Sequence, residues 1–273
     1  MTIQKYFVII AAIICLDGMN GQVPIPNLAY GPDPAQVIDV YLPSLDLGRV
    51  SKVIILIHGG AWGGGQKADM AAWVPFLQAL LPEYCITNME YRLGTRQSPG
   101  FPKQLEDIHL AISFLKSSFT QNVTFALFGA SAGAHLSMLY GYSRDSQTKD
   151  VRAVVSLVGP GDLTDPGYTE NPLLADLFLD LVGPCYYSEC PQLYNATSPT
   201  VYISRDSTPT LGFYGNVDPL VPISQVPLIR DKLNSFGVIN QFTVYLGGHG
   251  DWAWEYTQDL LVQTAIFFTM HWV

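Results

Sequence analysis

The chain has 273 residues, of which 48 % are apolar and 14 % charged. An average globular chain is about 25 % charged, so this composition excludes a solvated, disordered polymer and allows a sizeable core in one domain. The net charge is -9, and no cluster of Lys and Arg occurs. A nucleic-acid partner, which needs a basic face, is therefore not expected.

In chain order, the first stretch is "MTIQKYFVIIAAIICLDGMNGQ". Lys5 precedes an apolar run, Tyr6–Leu16, that Asp17 ends. The run is well short of the roughly 20 residues a membrane span requires. It reads as a secretory signal peptide over residues 1–21, the alternative being an uncleaved anchor or a buried segment. The expectation is a secreted or periplasmic domain over 22–273, without stable membrane insertion once the signal is cleaved. Asn122-Val-Thr and Asn195-Ala-Thr are acceptor sites for glycosylation if the source is eukaryotic.

"VIDVYL" (37–42) alternates like a half-exposed strand, and "KVIILIH" (52–58) is apolar throughout, like a strand buried on both faces. Further strands are predicted at 84–92, 123–129, 151–159, 209–215 and 241–247. Helices are predicted at 68–81, 101–119, from Ala132 onward, and at 252–270. This alternation predicts an α/β fold, a mostly parallel sheet with helices on both faces. Reactive groups in such a sheet gather beyond the C-terminal strand ends. Residues 162–207 break the rhythm, with one helical patch at 172–181, and are expected to form a cap over those ends. Cys185 and Cys190 in "GPCYYSECP" suit a loop-fixing disulfide, whereas Cys85 sits in an apolar run and is expected to be a buried free thiol.

"GASAG" (129–133) matches G-x-S-x-G between a predicted strand and a predicted helix. That context suits a sharp turn that lifts Ser131 above the sheet as a nucleophile; the alternative is helix–sheet packing with an incidental serine. A serine hydroxyl needs a base. Of the five histidines, His249 follows the last strand in "GGHG", where glycines permit the required backbone. His109 lies inside a predicted helix, His271 near the terminus, and His135 one turn beyond Ser131 as a packing group or a support for the residues around the serine. Asp218 in "GNVDPLVP" is the candidate acid to orient His249, with Asp162 the alternative. The order Ser131, Asp218, His249 is that of α/β-hydrolases. The loop "IHGGAWGGGQ" (57–66) offers Gly60 and Ala61 N–H groups, with that of Ala132, to a developing oxyanion. His58 is expected to brace this loop by hydrogen bonding.

Taken together, "VIDVYLP", "HGGAW", "EYRLG", "FPKQLEDIHLAISFLK", "GASAGAH", "GNVDPLVP" and "GGHG" resemble the α/β-hydrolase carboxylesterases of the hormone-sensitive-lipase-like branch, especially the BD-FAE type. The resemblance implies an α/β-hydrolase fold with a small cap after the sixth strand. It also implies hydrolysis of small-molecule carboxylic esters with no metal or organic cofactor. Alternatives are an arylformamidase-like amide hydrolase or a catalytically silent binding protein on the same fold. One departure is Asp251, which displaces the usual aromatic after "GHG" to Trp252. Trp62 and Trp252 are expected to line the substrate pocket, with Tyr186, Tyr187 and Tyr194 either lining it or packing the cap.

Overall fold

The computed structural model describes residues 24–43, 50–146 and 148–272. The expected signal peptide lies outside the described residues. Eight strands form one sheet: β1 Ile25–Ala29, β2 Val37–Tyr41, β3 Lys52–Ile57, β4 Cys85–Met89, β5 Thr124–Ala130, β6 Val151–Leu157, β7 Thr210–Gly215 and β8 Asn240–Tyr245. Their spatial order is β1-β2-β4-β3-β5-β6-β7-β8. The β1–β2 and β2–β4 pairs are antiparallel, and all later pairs are parallel. Apolar runs without alternation become central strands because helices cover both faces of a parallel sheet. In β3, Val53, Ile55 and Ile57 enter one core while Ile54 and Leu56 enter the other.

The first core lies under helices Lys103–Ser118, Ala132–Leu139 and Gln225–Ser235. The second lies under Trp73–Leu80 and Trp254–His271. Among the described residues, no helix is long and apolar enough to cross a membrane. The predicted helix at 68–81 divides into a 3-10 turn at Lys67–Met70 and a helix at Trp73–Leu80. Helix Gln225–Ser235 and strand β1 were not predicted. The helix does carry a stripe, Val226, Ile229 and Leu233, on its buried face. Its Pro227 sits in the first turn, where a missing N–H costs no hydrogen bond.

The cap at 162–207 holds short helices at Pro166–Thr169, Leu179–Val182 and Pro191–Ala196. The helical patch expected at 172–181 is corrected: only its end is helical. Asn171 starts successive tight turns instead, with Leu174 N–H donating to Asn171 and Leu177 N–H to Leu174.

One buried carboxylate joins the antiparallel edge to the helical layer. Asp107, on helix Lys103–Ser118, is fully buried. It accepts hydrogen bonds from Arg92 N–H (2.8 Å), Arg92 Nη2 (2.6 Å) and Gln36 Nε2 (2.6 Å). Removing one partner of a buried pair leaves the other charge uncompensated. Asp107→Ala is expected to destabilise the fold by about 3 kcal/mol, the lower end for such pairs because Arg92 is partly exposed. A urea midpoint shift without a change in slope measures this.

Candidate active site

Ser131 sits between β5 and helix Ala132–Leu139 with φ 53° and ψ -118°, a conformation that L-residues rarely adopt. The surrounding chain leaves no room for larger neighbours. A Cβ on Gly129 would lie 2.3 Å from Gly133 backbone, and one on Gly133 would lie 2.1 Å from the Ile57 carbonyl oxygen. The turn is fixed by Ser131 N–H donating to Leu157 (2.7 Å) and by His135 N–H donating to Ser131 (3.0 Å). The sharp turn expected from "GASAG" is present.

His249 stands in a turn after β8, between Gly247 (φ 136°) and Gly250 (φ 87°). Its Nε2 is 2.9 Å from Ser131 Oγ, and its Nδ1 is 2.8 Å from Asp218 Oδ2. An ionised carboxylate only accepts, so Nδ1 carries the ring proton and Nε2 faces the serine as acceptor. Asp218 is held in turn, because its Oδ1 accepts the N–H groups of Leu220 (2.8 Å) and Val221 (2.9 Å). The Asp218 side chain is 1 % exposed and that of His249 22 %. The end of β7 packs so closely on the histidine turn that a Cβ on Gly215 would lie 2.1 Å from the Gly248 oxygen. Asp251 accepts the Gly248 N–H (2.8 Å), so the residue that departs from the family pattern fixes the turn carrying His249.

Gly60, Ala61 and Trp62 have φ values of 114°, 48° and 63° in succession. A cavity of about 320 Å³ brings Gly60 and Ala61 together with Ser131 and His249, and Leu177, Leu220 and Val221 give it apolar walls. Ala132, the third expected donor, is buried as the first residue of the helix after Ser131. His58 does brace this loop: Nδ1 donates to the Gly59 carbonyl (2.7 Å), and Nε2 is 2.9 Å from Glu90 Oε1. Glu90 Oε2 also accepts the Lys67 N–H (3.0 Å). One carboxylate thus holds both ends of the glycine loop. The sequence reading missed Glu90, which the "EYRLG" stretch contains without any local cue to its partners.

The remaining candidates divide. Trp62 touches the cavity but is 1 % exposed, and its Nε1 donates to His135 Nδ1 (3.0 Å). Trp252 does not line the cavity: it packs on Tyr245 and its Nε1 donates to the Gly248 carbonyl (3.2 Å). Its place two residues beyond Gly250 carries it onto the opposite core. Tyr186, Tyr187 and Tyr194 surround a different cavity within the cap. Asp162 accepts from Thr164 in its own turn, so the runner-up acid stays away from His249. His109 meets the Tyr140 hydroxyl (3.1 Å), and His271 packs on Phe267. Cys185 and Cys190 form the expected disulfide, and Cys85 is a buried free thiol. Among the described residues, no group of three or more His, Cys, Asp or Glu side chains is arranged to hold a metal ion.

Sheet order, strained serine turn and cap define an α/β-hydrolase. The BD-FAE family model matches residues 38–233, and the chain belongs to that family. It is 26 % identical over 223 residues to the Mycobacterium tuberculosis protein named Esterase LipC, covering 77 % of this chain and 55 % of that one. It is 24 % identical over 252 residues to the Arabidopsis thaliana isoprenylcysteine alpha-carbonyl methylesterase ICME, covering 81 % and 55 %. The chain thus spans about half the length of the curated relatives it matches. The fold also matches a truncated carbohydrate esterase from gut microbiota, with TM-score 0.73, 22 % identity, and coverage of 91 % of this chain and 95 % of that one. A thermophilic esterase from Thermogutta terrifontis matches with TM-score 0.69 and 18 % identity, covering 93 % and 95 %.

Two outcomes follow from the loop and its supports. Glu90→Ala removes two of the bonds that hold the loop ends. It is expected to raise amide exchange over residues 59–66 about tenfold, as one or two lost hydrogen bonds would. Glu90→Gln keeps an oxygen to accept the Lys67 N–H, and is expected to raise exchange less than Glu90→Ala does. His135 is the second support. It accepts from Trp62, and its Nε2 donates to the Thr197 carbonyl (2.7 Å), so it works as a neutral ring. Burial lowers its pKa from the ordinary 6.5 to about 4, although the bond to Thr197 pulls the other way. The unfolded chain therefore binds more protons between those values. The contribution is complete above about pH 6.5 and is lost as pH falls toward 4, on the order of 3 kcal/mol in all. His135→Gln keeps both bonds without titrating, so its urea stability is expected to fall less than the parent's between pH 7 and pH 4.5.

Proposed function

We propose that the protein is a serine carboxylesterase that hydrolyses small carboxylic esters through an acyl-enzyme. The observation that carries this reading is the continuous hydrogen-bonded row from Ser131 Oγ through His249 to Asp218, opening into a cavity lined by Gly60 and Ala61. Membership of the BD-FAE family and relatives named as esterases support it.

In this reading His249 Nε2 takes the Ser131 proton as Oγ attacks the ester carbonyl, and Asp218 stabilises the resulting imidazolium. The carbonyl oxygen becomes an oxyanion facing the N–H groups of Gly60, Ala61 and Ala132. Such donors act at low cost because they are already oriented before the reaction. Collapse of the intermediate expels the alcohol, which takes the proton from His249. A water then gives its proton to His249 and its oxygen to the acyl carbon, and Ser131 recovers its proton as the acid leaves. The cavity of about 320 Å³, with Leu177, Leu220 and Val221 as walls, suits a small apolar acyl group better than a long chain. Secretion belongs to the same proposal and is supported by the N-terminal apolar run and the Cys185–Cys190 disulfide.

Hydrolysis of p-nitrophenyl esters of increasing acyl length tests the reading. Activity is expected to peak at short acyl chains. Ser131→Ala is expected to lower kcat at least about 10⁴-fold with little change in KM. A fluorophosphonate should label the parent and not the variant. Equal turnover by both proteins would overturn the reading, and an unlabelled parent would favour a binding protein on this fold.

A further inference from the structure

The sequence holds no cluster of Lys and Arg, but the fold assembles one. Lys149, Arg152 and Arg205 line a cavity of about 190 Å³ together with Asp206, Ser207 and His271. Val151 and Arg152 open β6, and residues 207–209 lead into β7, its parallel neighbour. The cavity therefore lies at the N-terminal edge of the sheet, whereas Ser131 follows β5 at the C-terminal edge.

Counting His271 as neutral, the charged side chains of this cavity sum to +2, in a chain whose net charge is -9. Like charges drawn together repel. Only one of the three cations has a carboxylate nearby: Lys149 Nζ is 3.5 Å from Asp206 Oδ1 and also donates to the Asp206 carbonyl. The guanidinium groups of Arg152 and Arg205 have no hydrogen bond or ion pair among the described residues.

Both walls are held in place by the protein itself. Asp145, buried, accepts the N–H groups of Asp150 (3.0 Å) and Val151 (3.0 Å) and the Thr148 hydroxyl (2.7 Å), which fixes the loop carrying Lys149. Ser204 N–H donates to Ser207 Oγ (2.9 Å) and Ser207 N–H to the Ser204 carbonyl (3.1 Å), which fixes the turn carrying Arg205 and Asp206. Arg152 is placed by a bulge. Val151 pairs with Phe125 and Ala153 with Ala126, so β6 carries one extra residue between them. A bulge re-aims the side chain it carries, and Arg152 is the one exposed residue of β6.

Charge and size name the occupant. A phosphate monoester carries about -1.5 to -2 near neutral pH, which matches the surplus, whereas a lone carboxylate offsets half of it. Guanidinium groups bind phosphate oxygens through paired N–H donors. The cavity is smaller than the roughly 300 Å³ at which sites for drug-sized ligands begin, so it suits the phosphate group and not a large molecule. A nucleic acid or an anionic membrane needs a broader basic face and would meet the negative remainder of the chain.

We propose that this cavity is a binding site for a phosphate dianion, free or as the monoester of a small molecule. Arg152 and Arg205 hold the phosphate oxygens, and Lys149 adds the third positive charge. Binding uses nothing at Ser131, so the site stands or falls apart from the esterase reading.

The test is a titration of the whole protein with sodium phosphate, methyl phosphate and sodium acetate, followed by amide NMR shifts. It is run at constant ionic strength and above the second phosphate pKa of about 6. Phosphate is expected to give saturable shifts concentrated at residues 148–152 and 204–209, with acetate about tenfold weaker because it brings half the charge. Arg152→Gln and Arg205→Gln are each expected to weaken phosphate binding about fivefold, the upper end for one exposed ion pair. Neither side chain has a partner to lose, so the thermal midpoint of the free protein is expected not to fall. Methyl phosphate binding within about fivefold of phosphate supports the site as one for a monoester, and weaker binding than that supports it as one for free phosphate. Shifts that do not saturate, or that centre on other residues, would overturn the site. So would acetate binding as tightly as phosphate, or unchanged phosphate affinity in both arginine variants.

Discussion

The close approach of helix Ala132–Leu139 to the ends of β3 and β5 is the constraint from which the site is built. Two glycines make it possible, and each fails sterically with a single added carbon. The approach forces Ser131 into a conformation that costs about 1–3 kcal/mol for a residue with a side chain. A lone turn would relax away from it. Here the Leu157 carbonyl on β6 and the first turn of the helix hold it from opposite sides. The serine is thus presented by the most deeply buried part of the sheet, where displacement would disturb both cores.

The other groups reach Ser131 from loops, and loops need their own restraints to be accurate. Each has one. Asp251 fixes the histidine turn, two backbone N–H groups fix Asp218, and Glu90 fixes the glycine loop at both ends. These restraints are all carboxylates that accept backbone or imidazole N–H groups. Charge-assisted bonds of this kind are stronger and more directional than neutral ones. Part of the acidic excess of the chain is thereby spent on positioning loops at the C-terminal edge of the sheet.

The strands from β2 onward and the row of Ser131, Asp218 and His249 were legible because their cues are local. A continuous apolar run marks a central strand, and glycines flank a turn that must be tight. Glu90 was not legible, since its partners are 32 and 23 residues upstream and only the β3–β4 pairing brings them together. The same holds for Trp252. Its sequence position beside His249 suggested the pocket, yet the turn that points the histidine toward Ser131 sends the tryptophan to the other face of the sheet. The helix at Gln225–Ser235 had a readable stripe, and its early proline hid it. In the cap, residues 172–178 have a helix-like composition, but Asn171 and Pro172 start turns that tertiary contacts then continue.

His135 shows how the cap and the serine turn depend on each other. It is one turn past Ser131, and its two ring nitrogens connect Trp62 of the glycine loop to Thr197 of the cap. Both bonds require the neutral ring with its proton on Nε2, the form that burial favours. The residue read from the sequence as packing or support is therefore the joint at which three segments meet. Phe178 touches the same Trp62 from the cap side. Any rearrangement of the cap that moves Phe178 or Thr197 acts on Trp62, whose positive φ already leaves its backbone little freedom. The cap and the glycine loop are therefore joined at Trp62, directly through Phe178 and by way of His135 through Thr197.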